Sequence, residues 1–418
     1  MNIAFIYMNS ENNVGRGAGY VAGSIISSGH NIDFFESRSN KDDRITNKII
    51  DNNYDILMIS SMSLLFPSAL KIIRSVKSKK EIPVLVGGIH ATTLKKKILQ
   101  ENPLIDYLCI GEGESMVVEF LDKFGKDDFY SIQNLAYRLN DQVIENPVRE
   151  PEDLSKIPTF PWKLFNSKTV VKKSGMLYVS ATRGCPFRCT YCCNNVYLDL
   201  YKKNYIRHRP VNKVIDELLY LKKKYNPRIF YFGDEMIFSD EKYVKELFKE
   251  IHKIVKLPYG SMGRVENINN EITDMLKNTG CKYLAMGVEC GDEKFRKEFL
   301  NRHMSNEKIK EAFSLCRKKD IFTTAFNIIG YPVDYDDELT KKTVEFNKEI
   351  KPNFSQVTIF YPFEGTKLYD YCIENNLIDP AKHVTRYYSD SILKGKNLIS
   401  KLEEVNKVLN SNNKKFKI

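Results

Sequence analysis

Short apolar runs separated by segments of helical length set the pattern of the first 140 residues. Ile3 to Tyr7, Ile32 to Phe35, Ile56 to Ser60, Val84 to Val86 and Tyr107 to Ile110 read as strands. Between them apolar residues recur with helical spacing, through Ile25-Ile26 and again from Pro67 to Lys77. Strand and helix in alternation predict a parallel sheet with helices on both faces, a doubly wound, Rossmann-like α/β domain over 1–140. In such sheets ligands lie beyond the carboxyl ends of the strands. Those ends are the loops Met8 to Gly17, Ser60 to Pro67, Gly87 to Thr92 and Gly111 to Glu114.

The pattern changes over 141–175. Pro147, Pro151, Pro158 and Pro161 interrupt regular structure and predict an extended, proline-rich linker that carries the single tryptophan, Trp162. A second alternation follows over 176–370, with strands expected at Tyr178 to Ala181, Ile229 to Phe232, Gly260 to Met262, Tyr283 to Gly287, Thr324 to Ile329 and Gln356 to Phe360. Six strands separated by helices make a partial (β/α)6, TIM-like barrel, in which active residues sit at the carboxyl ends of the strands. In the extension 371–418, Leu398, Leu402, Val405 and Leu409 share one helical face and predict a core-docking amphipathic helix, with a frayed basic end from Asn412 to Ile418.

The strand-end loops of the second domain carry the chemistry. The first delivers Arg183-Gly184-Cys185-Pro186-Phe187-Arg188-Cys189-Thr190-Tyr191-Cys192, a C-x3-C-x2-C spacing. Three thiolates in so tight a loop suit a [4Fe-4S] cluster, whose irons take cysteine sulfur. The loop offers three ligands to a cubane with four irons, so one iron is left for something other than protein. Structural zinc would need a fourth ligand from a second pair, and Cys109, Cys193, Cys281, Cys290, Cys316 and Cys372 form none. The competing reading, a non-catalytic metal-binding module, requires such a fourth ligand. Gly233-Asp234-Glu235, Arg264, Glu289 and Gly330 fall at the ends of further strands.

Composition narrows the class. A length of 418 residues suits two or three domains, and 42% hydrophobic with 28% charged residues is ordinary for a globular chain. No run of 18 apolar residues is present, and Met1 to Met8 is too short for a signal peptide, so a cytoplasmic location with no membrane association is expected. Nine cysteines without disulfide-like pairing agree with a reducing compartment. The net charge of +11 comes from scattered lysines such as Lys95-Lys96-Lys97 and Lys222-Lys223-Lys224, without an RNA-binding signature, and no nucleic-acid partner is expected.

With these residues in place, the chain resembles the radical S-adenosylmethionine (SAM) superfamily, and within it the branch with an N-terminal cobalamin (B12)-binding domain. The resemblance spans residue 1 to about 370. It implies that Cys185, Cys189 and Cys192 hold the cluster, with Tyr191 as the aromatic before the third cysteine, and that the open iron is chelated by SAM. Gly233-Asp234-Glu235 stands where the family receives the methionine ammonium, and Glu289 where an acid accepts from the ribose hydroxyls. Arg264 is placed to fork onto the methionine carboxylate. Ile329 and Gly330, in Ile329-Gly330-Tyr331-Pro332, resemble the backbone near adenine, and Pro362 to Thr366 the closing Pro-x-x-Gly-Thr motif.

For the N-terminal domain the resemblance implies cobalamin contacts at Ser61, Ser63 and Leu64, at Gly87, Gly88 and His90, and at Gly111, Glu112 and Gly113. Small residues there let the corrin approach the backbone. Gly17-Ala18-Gly19-Tyr20-Val21-Ala22 also fits a G-x-G-x-x-A turn opening a helix, with Asp33 or Glu36 as its acid. The loop Met8 to Gly17 has no histidine to ligate cobalt from below, which predicts a lower face bound by water or nothing. The implied activity is SAM cleavage to a 5′-deoxyadenosyl radical and methylation of an unactivated carbon in a small molecule, fed by an electron donor such as flavodoxin or ferredoxin. A non-methylating rearrangement, cyclisation or oxidation stays open, as does a radical enzyme whose first domain no longer binds cobalamin.

Overall fold

The computed structural model of the chain describes residues 1–9, 14–37, 43–382, 384, 386, 388, 390–395, 397–411 and 416, and of residues 203 and 204 only the backbone. The chain packs as two units, Met1–Ser167 with Val196–Asn204, and Lys168–Asn195 with Tyr205–Ile418.

The first unit holds β1 (Asn2–Met8), β2 (Asn31–Ser37), β3 (Ile56–Ser60), β4 (Val84–Gly87), β5 (Tyr107–Cys109), β6 (Leu135–Leu139) and β7 (Gln142–Glu145), in the sheet order β2-β1-β3-β4-β5-β6-β7. The first five run parallel, as the alternation predicts. Alternate residues of each strand face opposite layers. Ala4, Ile6, Leu57, Ile59, Val84 and Val86 pack with Ile72, Ile73 and Val76 of the helix Phe66–Lys77. Ile3, Phe5, Ile56, Met58 and Leu85 pack with Ala22 and Ile25 on one helix and Met116 and Phe120 on another.

Two features of this unit depart from expectation. The segment 141–175, expected as a linker, contributes the antiparallel edge strand β7 through a tight turn whose central residues, Asn140 and Asp141, both have positive φ. Its Phe160 and Trp162 are buried, and Phe160 lies edge-on to Tyr20 at 5.1 Å. A chain segment burying aromatic rings gains too much to remain an extended connector. The Gly17 to Ala22 run, which fits a G-x-G-x-x-A turn opening a helix, lies wholly within the helix Arg16–Ser27. A side chain at Gly19 would sit 2.2 Å from the Phe160 ring, so that glycine makes room for packing. Asp33 is engaged by Tyr54 and Lys48.

The second unit is a curled parallel sheet of β8 (Met176–Val179), β11 (Ile229–Phe232), β12 (Tyr259–Gly263), β13 (Cys281–Glu289), β14 (Phe322–Ile329) and β15 (Phe354–Ile359), neighbours in space following chain order. A two-residue ladder, β9 (Thr182–Arg183) with β10 (Arg207–His208), stands apart from it. The half-barrel matches the sequence expectation strand for strand. The C-terminal helix Leu398–Asn410 packs Leu398, Leu402, Val405 and Leu409 on Ile329, Val357 and Ile359. Its Asn410 also accepts from the Ser355 amide at 3.1 Å and donates to the Ser355 carbonyl at 2.9 Å, satisfying the backbone of Ser355 on the edge strand β15. Of the tail Asn412 to Ile418, expected to fray, only Phe416 falls among the described residues.

Candidate functional site

A buried carboxylate holds the chain where the cysteine loop leaves β8. Asp234 Oδ1 accepts from Ala181 N at 2.8 Å, Thr182 N at 2.5 Å and Thr182 Oγ1 at 2.8 Å. Asp234, expected to meet the methionine ammonium, thus spends one oxygen fixing the entry to the loop. Its neighbour Glu235 is exposed. Gly184 has φ +100°, and a Cβ there would lie 2.4 Å from the Tyr205 carbonyl. Only glycine adopts that conformation at that approach without cost. Further along, Thr190 Oγ1 donates to Phe299 O at 2.7 Å, Asn195 Nδ2 to Cys189 O at 2.8 Å, and Cys192 N to the same carbonyl at 3.1 Å. The loop is therefore held from several sides before any ligand arrives.

Cys189 is buried, and Cys185 and Cys192 are partly so. Burial pushes the Cys185 thiol up to about 11, and Cys192 and Cys189 lie close enough to oppose its ionisation further. Cys193 shares a hydrogen bond with Cys192, which lowers the Cys193 thiol below its usual range and raises that of Cys192. Among the described residues no three His, Cys, Asp or Glu side chains form a site for a single metal ion. Three sulfurs in one loop suit a cluster whose irons take cysteine sulfur.

Two guanidinium groups face the central sulfur. Arg264 Nη1 lies 3.4 Å from Cys189 Sγ, with its guanidinium 3.6 Å from the centre of the Phe187 ring and Nη2 2.5 Å from Glu266 Oε1. Arg302 Nη1 lies 3.9 Å from the same sulfur and 3.3 Å from the Tyr191 hydroxyl, and Nη2 donates to Gly287 O at 2.7 Å. Positive charge and N–H donors beside Cys189 would offset the charge of a cluster held there. Arg302 was not foreseen from the sequence. It follows Asn301, which turns with φ +53° after the helix Glu293–Glu298, and nothing in its spacing announces that it folds back.

Glu289 ends β13 with φ +67°, where the pairing with β14 slips by a residue. Such backbone costs of order 1–3 kcal/mol and clusters where side chains are re-aimed for function. Its carboxylate is buried and lies 3.5 Å from Arg302 Nη1. Burial raises its pKa, and Arg302, Tyr191 and Arg264 pull it back in part. Arg264, Glu289 and Tyr191 thus converge on the cysteine loop. Gly330 turns with φ +77° beyond β14, Ile329 O accepts from Phe360 N at 2.8 Å, and the Tyr331 hydroxyl reaches Glu289 O at 3.4 Å. Thr366, at the end of the expected Pro-x-x-Gly-Thr motif, caps the helix Lys367–Glu374.

In the first unit, the expected cobalamin residues gather at the carboxyl ends of β3, β4 and β5. Gly88 has φ +95°, and a Cβ there would lie 2.6 Å from Ser61 O. Ser61 N donates to Gly87 O at 3.1 Å, and His90 N to Ser61 O at 3.3 Å. His90 Nδ1 lies 2.9 Å from Ser63 Oγ and its ring 4.0 Å from that of Phe66, while Leu64 is buried beside them. His90 is thus tied into the loop wall. Gly111 N donates to Thr92 Oγ1 at 3.0 Å, Glu112 N to the Tyr201 hydroxyl at 2.7 Å, and Glu112 Oε2 accepts from Glu152 N at 2.8 Å. Gly113 packs on Cys109. Tyr201, 89 residues downstream of Glu112, is a contact no local pattern could reveal. Three strand ends stripped of bulk, with their backbone held rigid, fit a large planar ring system.

Of the loop Met8 to Gly17, which offers no histidine to cobalt, residues 10–13 lie outside the described residues. Residues 13–121 match the B12 binding domain family and residues 179–343 the radical SAM superfamily. The chain is 26% identical over 357 residues to an uncharacterized methyltransferase of Pyrococcus horikoshii, covering 81% of this chain and 76% of the relative. It is 24% identical over 402 residues to the anaerobic magnesium-protoporphyrin IX monomethyl ester cyclase of Rubrivivax gelatinosus, covering 88% and 69%. Its fold matches that of the radical SAM methyltransferase TsrM of Kitasatospora setae, a structure with cobalamin and a [4Fe-4S] cluster bound, with a TM-score of 0.73 and 15% identity over 90% of this chain and 75% of that one. With the strand-end glycines and the three-cysteine loop, these matches give the chain a B12-binding domain followed by a radical S-adenosylmethionine domain.

Proposed function

We propose that this radical SAM enzyme methylates an unactivated carbon of a small-molecule substrate, using cobalamin held by its first unit. The observation that carries the reading is the convergence of Arg264, Arg302, Tyr191 and Glu289 on the loop of Cys185, Cys189 and Cys192. The three cysteines hold the cluster. Arg264 and Arg302 neutralise its charge, and Glu289, aimed by its left-handed backbone, accepts from the ribose hydroxyls of SAM. Gly233 and Glu235 face the methionine ammonium, and Ile329 and Gly330 the adenine. Ser61, Ser63, Gly87, Gly88, Gly111 and Gly113 bring backbone against the corrin, with Leu64, His90 and Glu112 beside them. The bound cofactors supply reductive cleavage of a sulfonium and delivery of a methyl group to carbon. A flavodoxin or ferredoxin in the cytoplasm provides the electron.

The likeness to a cyclase favours one second reading, in which the same cofactors serve ring formation. Products separate the two. The anaerobically reconstituted chain, supplied with cobalamin, SAM, a reductant and a small-molecule cell extract as the source of the methyl acceptor, releases 5′-deoxyadenosine and S-adenosylhomocysteine together over several turnovers if it methylates. Release of 5′-deoxyadenosine alone overturns methylation and leaves the cyclase-type reading. A visible spectrum without corrin bands after growth with B12 overturns both. No helix among the described residues is long and apolar enough to cross a membrane.

A further inference from the structure

We infer that the C-terminal helix Leu398–Asn410 is a positioning element for the nucleotide site, acting through Lys401 and Asp336 on the turn at Gly330 and Tyr331. The inference rests on the reading of that turn as the segment beside adenine.

The helix meets the turn at two points. A Cβ on Gly330 would lie 2.8 Å from Leu398 Cδ2, so the glycine turns directly beneath the first residue of the helix. One turn later, Lys401 reaches into the protein and binds Asp336 Oδ2, while also lying 2.7 Å from Asp337 Oδ1. Asp336 is 4% exposed, and its other oxygen accepts from Tyr331 N at 2.7 Å. Tyr331 in turn places its hydroxyl 3.4 Å from the Glu289 carbonyl. A continuous chain of contacts therefore runs from the C-terminal helix through a buried carboxylate to the backbone that carries Gly330 and Glu289.

The charge on Lys401 is what keeps the carboxylate in place. A buried carboxylate stripped of its counter-charge is drawn towards water, and as it swings out its hold on the Tyr331 amide is lost. The apolar anchors Leu398, Leu402 and Val405 do not depend on that charge, so the helix stays docked when it is removed.

Calorimetric titration of S-adenosylhomocysteine into the anaerobic, cluster-reconstituted full chain tests the idea. Lys401→Met weakens binding by about tenfold, the scale expected when one charge-assisted hydrogen bond is lost. Lys401→Arg binds like the wild type. The double variant Lys401→Met with Asp336→Asn recovers affinity to within about twofold, because an amide oxygen still accepts from Tyr331 N and needs no counter-charge. Equal binding by Lys401→Met and wild type overturns the inference. A double variant as weak as Lys401→Met also overturns it, since a merely structural lysine gives no such rescue. A wild-type chain that does not bind S-adenosylhomocysteine overturns instead the nucleotide-site reading beneath it, a result distinct from the other two.

Discussion

Replacing Arg302 with methionine keeps most of its bulk and removes its charge. The guanidinium lies 3.5 Å from Glu289 and donates to Gly287 O, and its side chain is almost wholly buried. Without it Glu289, itself 9% exposed, becomes a buried carboxylate whose nearest counter-charge is gone. Breaking a buried pair from one side costs about 3–5 kcal/mol. In a unit of this size each kcal/mol lowers the melting temperature by about 2–4 °C, so Arg302→Met should lower it by roughly 6–20 °C at neutral pH. Burial already raises the Glu289 pKa, and Arg302 is the strongest influence pulling it down. Its loss raises the folded-state pKa further above the unfolded value. The protonated acid is tolerated, so the deficit against wild type is smallest below the ordinary carboxyl range and grows as pH rises through the raised pKa. Thermal unfolding of the anaerobic, reconstituted chain between acid and neutral pH measures both effects. Adding Glu289→Gln should recover most of the loss, because no unpaired charge remains. A variant that melts with the wild type at every pH would refute the reasoning, as would a deficit that grows on acidification.

Two further outcomes follow from single residues. Asp234→Ala removes the acceptor of three donors at Ala181 and Thr182 and should cost about 2–4 kcal/mol, with a matching loss of iron retained after anaerobic reconstitution; full iron content in a stable variant would contradict its role in fixing the cysteine loop. Gly88→Ala places a methyl group 2.6 Å from Ser61 O on a backbone with φ +95°. It should lower stability by about 1–3 kcal/mol and weaken corrin uptake followed by visible absorption, while leaving S-adenosylhomocysteine binding unchanged.

The candidate residues differ in how they could be found. Cys185, Cys189 and Cys192 are close in sequence, and ligands so close cannot be far apart in space. Glu289 and Gly330 stand at strand ends that apolar periodicity located, so topology placed them near the loop. Arg302 and Glu266 lie in connections whose path depends on packing, and Tyr201 meets Glu112 across a long stretch of chain. The misread glycines, Gly17 and Gly19, show the reverse case. Their spacing imitates a phosphate-binding turn, yet Gly19 is small because Phe160, far along the chain, needs its space.

Periodicity alone determined the five parallel strands of the first sheet, the six of the second and the helix that closes the second, because burying alternate or every third and fourth apolar side chain is a local demand that each segment meets in one way. The cysteine spacing likewise settled the kind of metal centre before any fold was known. Tertiary structure decided what each polar group does there: that Asp234 secures backbone, that two arginines share Cys189, that Lys401 supports the Gly330 turn. The physical reason is that a buried charge takes whatever partner the packed chain brings within a few ångströms, and that partner is set by the fold as a whole and not by neighbours in sequence.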